Sequence, residues 1–584
     1  MKKIILIIVI PVILFSCKPK KSTEDLKKLF DDYYEGTLKL YPFMATSNGD
    51  NRYNDQFPID LSDQYRSEVK EFYTKYLNAL EDYDRKSLSI NDQTSYDILK
   101  YDCEMAIESF KYPDHLMPIN QMSGKPLDFP LYGSGEGSQP FKSEKDYDNW
   151  LARMDKFPIW CDTAIAKMQE GIASGWVLPN ALSIKILPQI NDIITEDAKK
   201  SIFYGPINKM PESFSKESKD KYTAAYTAAI NDRINPAYKK LADFLEKEYI
   251  PKSRDKSGIS QVPNGKEYYA YLAKYYTTTD LSPDEIFELG KKEVARIRSE
   301  MEEVKTKVGF TGDLKAFFTF VNESPILHPY KKDEEAIEGF RKIHETMKPE
   351  LAKQFDLVPK CPFEIRQTEA FREKSASAEY HQGTPDGSRP GIFYCPVLDP
   401  TKYNVFQDEA LFLHEAIPGH HYQISLQQEN KDLPIFRRFL WYGAYGEGYA
   451  LYTEGLGKEL GLYTDPYQYF GKLSMEMHRA LRLVVDVGMH TKGWTREEAI
   501  KYSMENEADS EEGITAEIER YMAWPGQALG YKIGQLKIVE LKEEAKKTMG
   551  TKYDVKAFHN ELLKYGCLPI AVLETKMNEW MGRK

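Results

Sequence analysis

A proline and a glycine interrupt an apolar segment at the place where three of the chain's ten histidines are clustered. The stretch reads Leu-Phe-Leu-His414-Glu-Ala-Ile-Pro418-Gly419-His420-His421, which puts three histidines within eight residues. The apolar spacing before them is typical of a helix, but Pro418 lacks a backbone N–H and Gly419 adds a flexible residue. We therefore expect a local bulge or kink at this point of the helix.

Helix signals dominate most of the remaining chain. Ser282 and Glu285 have the spacing of a capping box, and Pro283 suits the first turn, so a helix is predicted to run from there to about Lys307. No fixed-period repeat is visible, which argues against a solenoid. The sequence therefore predicts a mainly α fold.

One short region departs from the helical pattern. Residues 363–367 alternate like a strand, and residues 391–397 form a short apolar run after a turn rich in Gly and Pro. We expect a small β-sheet here, whose edge could pair with an extended peptide. Pro and Gly residues near 250–265 suggest a boundary between an N-terminal helical region, 18–255, that forms one wall of a cleft and a helical region, 256–584, that carries the histidines.

The first seventeen residues are typical of an export signal. Lys2 and Lys3 precede an apolar run that is too short to span a bilayer comfortably. Its end, Leu-Phe-Ser-Cys17, resembles a bacterial lipobox, so residues 1–17 are predicted to hold a lipoprotein signal. Lipid on Cys17 would hold the exported protein at the bacterial outer membrane, on its periplasmic or outer side, without crossing it. An ordinary cysteine after an uncleaved anchor is the alternative.

The charge balance argues against a nucleic-acid partner, and the cysteine spacing argues against a zinc site built from thiolates. The 584 residues contain 79 Lys and Arg against 90 Asp and Glu, a net charge of −11, and loss of Lys2 and Lys3 with the signal makes it −13. This acidic balance argues against a nucleic-acid partner, because phosphate binding needs an excess of basic residues. The five cysteines after Cys17 are widely spaced and form no CxxC, so we expect separate buried thiols rather than a thiolate zinc site, with a disulfide left open.

The histidine cluster is the main candidate for a metal site. Zinc peptidases carry His-Glu-x-x-His on a helix, where the histidines bind one ion and the glutamate serves as general base. Here Pro418 stands at the second ligand position, and on an unbroken helix His420 would lie about 9 Å along the axis from His414. A two-residue bulge would bring His420 beside His414, with Glu415 as the base. His421 stays open as the second ligand, and hydrogen-bonded helix histidines without metal are the plainer alternative.

A third ligand is expected from a following helix. The segment Gly-Glu447-Gly-Tyr-Ala-Leu-Tyr-Thr-Glu454 begins about 26 residues after the cluster. Glu447 and Glu454 are seven residues apart and so share one helix face, and small residues around Glu447 allow another helix to approach closely. We expect Glu447 to bind the metal and Glu454 to orient a ligand histidine. Glu454 as the ligand, or two surface acids, are the alternatives.

Three motifs, in this order, resemble the bacterial family called domain of unknown function 885. They are His414-Glu-Ala-Ile-Pro-Gly-His-His-Tyr-Gln, Glu447-Gly-Tyr-Ala-Leu-Tyr-Thr-Glu and Arg520-Tyr-Met-Ala-Trp-Pro-Gly-Gln-Ala-Leu-Gly-Tyr531. That family is similar to helical gluzincins, among them Taq-type carboxypeptidases, oligopeptidases and angiotensin-converting enzyme, although two residues are inserted here relative to their His-Glu-x-Gly-His. The resemblance implies a two-lobed helical fold with a deep cleft, a bound zinc ion and hydrolysis of peptide bonds.

The third motif is expected to complete the site. It resembles the Phe-Pro-x-Tyr-x-Leu-Gly segment of Taq-type carboxypeptidases, and its Pro-Gly break would aim side chains into a cleft. We expect Tyr531 or Tyr521 to stabilise an oxyanion and Arg520 to bind a substrate carboxylate. Tyrosines that only fill the core, and an ion pair of Arg520 with Glu517 or Glu519, are the alternatives.

Together these patterns predict a zinc-dependent metallopeptidase of the carboxypeptidase, oligopeptidase or dipeptidase type that acts on peptides. His414, His420 and Glu447 are the predicted ligands, and Glu415 is the predicted general base. Two other functions fit the same sequence. One is a surface lipoprotein that binds peptides without cleaving them, and the other is a metal-dependent hydrolase of non-peptide amides or esters.

Overall fold

The computed structural model describes residues 22–369, 373 and 377–583, and the predicted signal with Cys17 lies outside this part. The described chain is mainly helical, as predicted. Its helices are α1 Thr23–Leu40, α2 Pro42–Ser47, α3 Asp63–Leu80, α4 Ile90–Ser109, α5 Lys125–Gly133, α6 Glu144–Ser174, α7 Asn180–Ile193, α8 Gly205–Asn208, α9 Lys216–Ala229, α10 Asn235–Phe244, α11 Gly265–Thr277, α12 Pro283–Lys307, α13 Leu314–Glu323, α14 Asp333–Gln354, α15 Asp408–Glu415, α16 His420–Glu429, α17 Ile435–Arg438, α18 Gly443–Glu454, α19 Pro466–Thr491, α20 Arg496–Met504, α21 Glu511–Ala523, α22 Leu529–Met549, α23 Val555–Leu563 and α24 Ile570–Trp580.

Local capping explains where several helices begin. The predicted start of α12 is confirmed: the Ser282 hydroxyl accepts from the backbone N–H of Glu285, whose carboxylate accepts from the Ser282 backbone N–H. These two bonds satisfy donors that have no partner within the helix itself. The helix then ends at Lys307, as the apolar spacing indicated.

A three-stranded sheet is embedded among the helices. Strand β1 spans Phe363–Gln367, β2 spans Glu379–His381 and β3 spans Gly391–Cys395, in the order β1-β3-β2. β1 runs parallel to β3, and β2 runs antiparallel to it. The two predicted strands are confirmed, while β2 was not predicted, because three residues are too few to show an alternating pattern.

The buried clusters cross the predicted boundary at residue 255. One core combines residues of α1, α3 and α4 with residues of α14 to α18 and of α22 to α24. A second core lies entirely within residues 43–249 and is rich in aromatic side chains. Helices α1, α3 and α4 therefore pack with the helices that carry the histidines, and the division 18–255 and 256–584 stays a prediction.

Two observations concern the membrane and redox chemistry. No helix in the described ranges combines the length and apolarity that crossing a bilayer requires. All five cysteines in the same ranges are buried and free, which confirms the expectation of separate buried thiols.

Helices α18 and α22 pack with their backbones in contact, because glycine stands on both sides of the contact. A Cβ atom on Gly448 would lie 2.6 Å from the Cα atom of Gly534, and a Cβ atom on Gly534 would overlap the carbonyl oxygen of Ala444. Backbone atoms cannot move aside as a flexible side chain does, so any larger residue would push the helices apart. This contact sets the distance of α18, which carries Glu447, from the rest of the fold.

We expect Gly534→Ala to lower the free energy of unfolding by about 3 kcal/mol, since overpacking of a tight contact costs roughly 1–3 kcal/mol and here the obstacle is backbone. Urea denaturation of the purified variant measures the change. Gly443→Ala is the matched control, because a Cβ atom at this first residue of α18 meets no atom within 4 Å. Equal stability of the two variants would contradict the inferred backbone contact.

Candidate metal centre

The helix that carries the histidines is broken completely at the predicted position. α15 ends at Glu415 and α16 begins at His420, with four residues between them. Ala416 has φ −105° and ψ −107°, and Gly419 has φ −76° and ψ −129°, neither of which is helical. The predicted interruption is confirmed, but it is a new helix start rather than the expected two-residue bulge.

Glycine is required at position 419 because the chain folds back against the end of α15. A Cβ atom on Gly419 would overlap the carbonyl oxygens of Leu413 and His414. Since these are backbone atoms, no side chain can be accommodated without moving α16 away from α15. The Pro-Gly pair therefore ends one helix and allows the next to begin beside it.

Three side chains from α15, α16 and α18 converge after this break. The Nε2 atom of His414 lies 3.5 Å from Oε2 of Glu447, and Nε2 of His420 lies 3.4 Å from the same oxygen. Each residue offers one ligand atom, and the three atoms lie within 4.8 Å of one another. His414 and His420 are buried, and Glu447 is half-buried.

The second predicted acid orients one of the histidines. Oε1 of Glu454 lies 2.8 Å from Nδ1 of His414, and both side chains are buried. A hydrogen bond from Nδ1–H to this carboxylate fixes the ring so that Nε2 faces Glu447. Of the two acids left open by the sequence, Glu447 is the one beside both histidines, and Glu454 lies behind His414.

His421 faces away from the other two histidines. Its Nδ1 atom lies 3.0 Å from the hydroxyl of Tyr380 on β2, and its ring packs 4.9 Å from that of Phe363 on β1. Burial lowers the pKa of His421 to about 4, so it is neutral at physiological pH. The geometry thus favours His420 over His421 as the second ligand.

The charges of the cluster depend on one another. Burial alone would lower the pKa of His414, but hydrogen bonds to Glu447 and Glu454 raise it to about 9. Burial alone would raise the pKa of Glu447, but His420 and His414 hold it well below its ordinary value. Burial raises the pKa of Glu415, which makes this carboxylate a stronger base.

These residues fit zinc by donor type and by spacing. Two imidazole nitrogens and one carboxylate are a common donor set of catalytic zinc sites, which keep the fourth tetrahedral position for water or substrate. Tetrahedral zinc at its usual bond lengths separates two ligand atoms by about 3.4 Å. The separations of 3.4 and 3.5 Å from the Glu447 oxygen match this value.

His414, His420 and Glu447 line a cavity of about 900 Å³. Among the residues that line it are Glu415, Arg520 and Tyr531, three of the four side chains predicted to act in catalysis. The fourth, Tyr521, lies behind the wall: it is buried, donates to Glu517 at 2.7 Å and accepts from Arg482. Tyr531 is therefore the only one of the two tyrosine alternatives that lines this cavity in the described structure.

The cavity also contains residues to which the sequence assigned no role in the site. The rings of His420 and Trp441 are 5.7 Å apart, and Trp441 is 45% exposed. Tyr380 on the unpredicted strand β2 and Arg479 on α19 are further wall residues. Helical spacing from Met475 to Arg479 could have indicated that this face of α19 lines the cavity, but it does not distinguish a cavity wall from a solvated face.

The family model described as bacterial protein of unknown function (DUF885) matches residues 42–577. The chain belongs to this family. Its structure is similar to the crystal structure of a "putative lipoprotein" from Colwellia psychrerythraea, with a TM-score of 0.88 and 30% sequence identity over 97% of this chain and 100% of that one.

A second solved structure shares the fold at lower identity. It is described as a "putative lipoprotein of unknown function" from Shewanella oneidensis. It matches this chain with a TM-score of 0.70 and 19% sequence identity. The match covers 94% of this chain and 99% of that chain. None of the curated proteins matches this chain.

We expect His414→Ala, His420→Ala and Glu447→Ala each to abolish tight zinc binding, because each removes one of the three predicted ligands. Glu454→Gln should weaken zinc binding by about 10- to 100-fold, as loss of an orienting partner does. Metal analysis and chelator competition measure these effects. His421→Ala is the matched control and should keep one zinc ion per chain. If His421→Ala lost zinc and His420→Ala kept it, the assignment of His420 as the second ligand would be contradicted.

Zinc binding should be coupled to proton release. His414 without metal has a pKa of about 9 and is protonated at pH 7, whereas a ligand nitrogen must be neutral. Apparent zinc affinity should therefore rise about tenfold per pH unit between pH 7 and 8 and level off above pH 9. Titration calorimetry in buffers of different ionisation enthalpy should detect about one proton released at pH 7.

The acids beside His414 cause this pH dependence, so Glu454→Gln should reduce it. An affinity that does not change between pH 7 and 8 would contradict the raised pKa of His414 in the metal-free protein.

Proposed function

We propose that this protein is a zinc-dependent peptidase of the carboxypeptidase or oligopeptidase type. The observation that carries the proposal is the convergence of His414, His420 and Glu447 at zinc-like spacing, with Glu415 at the same cavity. Two histidines, a carboxylate ligand and an adjacent glutamate are the side chains that metal-assisted amide hydrolysis uses. The carboxylate of Glu415 lies 4.0 Å from Nε2 of His414, so it borders the ligand cluster.

Zinc, when bound, supplies a Lewis acid that polarises the substrate carbonyl and acidifies a water molecule. Glu415 accepts a proton from the attacking water, and its raised pKa lets it hold that proton and pass it to the leaving nitrogen. The proton thus moves from water to the amine while the C–N bond breaks. No other titratable group is needed for this transfer.

Tyr531 is suited to stabilise the oxyanion. Nη2 of Arg520 donates to the Tyr531 hydroxyl at 3.4 Å, which leaves the hydroxyl's own proton free for a substrate oxygen. Tyr521 lies outside the cavity lining and instead donates to Glu517, so it acts only as support for the wall.

We further propose that the protein is exported and lipid-anchored at Cys17. The support is the lipobox-like end of the apolar N-terminal segment together with the likeness to the lipoprotein from Colwellia psychrerythraea. Such an anchor would keep the cavity in an extracytoplasmic compartment, at the outer membrane. Its substrates would then be peptides available in that compartment.

Glu415→Gln should lower kcat for peptide hydrolysis by about 100- to 10,000-fold, the usual loss when a general base is removed, with zinc content unchanged. Hydrolysis of a peptide library, followed by mass spectrometry, measures it. Glu379→Gln is the matched control, since Glu379 lines the same cavity from β2 and should change kcat little.

The outcomes separate the alternative functions. The peptidase proposal would be overturned if Glu415→Gln hydrolysed peptides as fast as the unaltered protein. It would also be overturned if the purified protein held no zinc and bound peptides without cleaving them. Cleavage confined to ester or non-peptide amide substrates would move the same chemistry to another substrate class.

A further inference from the structure

Three arginine side chains line the same cavity as the three predicted metal ligands. Arg479 and Arg482 come from α19, and Arg520 comes from α21. We call this group the arginine wall. Arginine presents planar N–H donors that match a carboxylate.

Arg482 keeps one donor unused although it is almost completely buried. The residue is 4% exposed; its Nε donates to the Tyr521 hydroxyl at 3.0 Å, and its Nη2 donates to Glu517 at 3.0 Å. Its Nη1 has no hydrogen-bond partner in the described residues. Burying a cationic donor without a partner is costly, so this donor indicates that an acceptor belongs there.

Tyr531 holds the Arg482 guanidinium from one side. The guanidinium carbon lies 4.5 Å from the centre of the Tyr531 ring. Polar contacts with Tyr521, Glu517 and His478, together with the ring of Tyr531, therefore orient Arg482. This is the preorganisation expected of a binding group rather than of a mobile surface arginine.

The other two arginines add positive charge and further free donors. Arg479 makes no ion pair with a carboxylate within the described part of the chain; its Nη1 donates to the Met475 carbonyl at 3.3 Å, and its Nε has no partner. Arg520 is more fully used, because Nη1 donates to Glu517 at 3.2 Å and Nη2 donates to Gln527 at 3.1 Å. Its Nε also lacks a partner in the described structure.

The acids that face the arginine wall do not neutralise it. Glu517 is shared between Arg482 and Arg520, and Glu507 lies 2.7 Å from Nδ1 of His478, whose pKa is raised by this contact against the effect of burial. Asp509 also lines the cavity and is exposed to solvent. Glu517 thus serves two arginines at once, and Arg479 forms no ion pair in the described residues, although its charge acts on Glu415.

The cavity therefore carries charges of both signs. Glu415 and Glu447 lie beside the two histidines, and the arginine wall adds positive charge. A substrate with a negative group near its scissile amide has one favourable orientation in such a cavity: the anion on the arginines and the amide at the ligands.

We propose that the arginine wall binds a carboxylate of the substrate, with Arg482 and Arg479 as the donors. The proposal rests on the proposed function and names its substrate class: peptides with a carboxylate close to the cleaved bond. Arg520, which the sequence indicated for this task, has its terminal nitrogens occupied and contributes mainly charge. The carboxylate is either the peptide's C-terminus or an acidic side chain.

The test measures binding rather than turnover. Calorimetry on the full zinc-loaded chain carrying Glu415→Gln compares three probes: acetyl-Ala-Ala-Ala, its C-terminal amide, and acetyl-Ala-Glu-Ala-amide. We expect the free acid to bind about 10- to 100-fold more tightly than the neutral amide, as a buried charge-assisted pair does. Tight binding of the glutamate probe as well assigns the wall to acidic side chains in addition to the terminus.

Variants of the wall test the named donors. In Arg479→Gln and Arg482→Lys the ratio of acid to amide affinity should fall several-fold, with binding of the amide unchanged. Arg479 loses no ion pair, and Arg482→Lys keeps a charge beside Glu517, so both should fold; melting temperatures check this. Arg438→Gln is the matched control, because Arg438 lines the same cavity but donates both Nε and Nη2 to the Gln428 carbonyl.

Two results separate this proposal from the proposed function. Equal binding of acid and amide, or a ratio unchanged in both arginine variants, overturns the carboxylate site even if the protein hydrolyses peptides. Preferential binding of the acid by a protein that cleaves no peptide leaves the carboxylate site in place and overturns the peptidase proposal.

Discussion

The candidate site depends on the chain leaving its helical path between Glu415 and His420. On a continuous helix the side chains of His414 and His420 would lie about 9 Å apart along the axis, too far to share an ion. The break allows α16 to begin beside the end of α15, so that both Nε2 atoms approach one oxygen of Glu447. Gly419 permits this approach, because a Cβ atom there would overlap the α15 backbone.

The remaining parts hold this arrangement in place. Gly448 and Gly534 let α18 and α22 touch through their backbones, which positions Glu447. Glu454 lies two turns after Glu447 on α18, and its hydrogen bond with His414 fixes the orientation of that ring. Three helices and the buried bond to Glu454 hold His414, His420 and Glu447 together, so a metal ion could bind there without reorganising the fold.

Much of this could be predicted from local sequence, and the misses have physical causes. Capping residues mark the start of α12, and alternating patterns mark β1 and β3, since both signals act within a few residues. β2 is only three residues long and depends on pairing with β3, so no local pattern marks it. The choice between Tyr521 and Tyr531 depends on which side of the α21–α22 break faces the cavity, and spacing alone does not contain that information.

The sequence by itself determined the residue types of the site. They are two histidines on either side of a Pro-Gly break, two acids on the same face of a helix, and an arginine in a third motif. These are properties of local composition and periodicity. Only the tertiary structure decided that Glu447 meets both histidines, that His421 turns to Tyr380, and that Arg482 lines the cavity. Those outcomes depend on how separate helices pack, and packing is set by contacts between residues far apart in the chain.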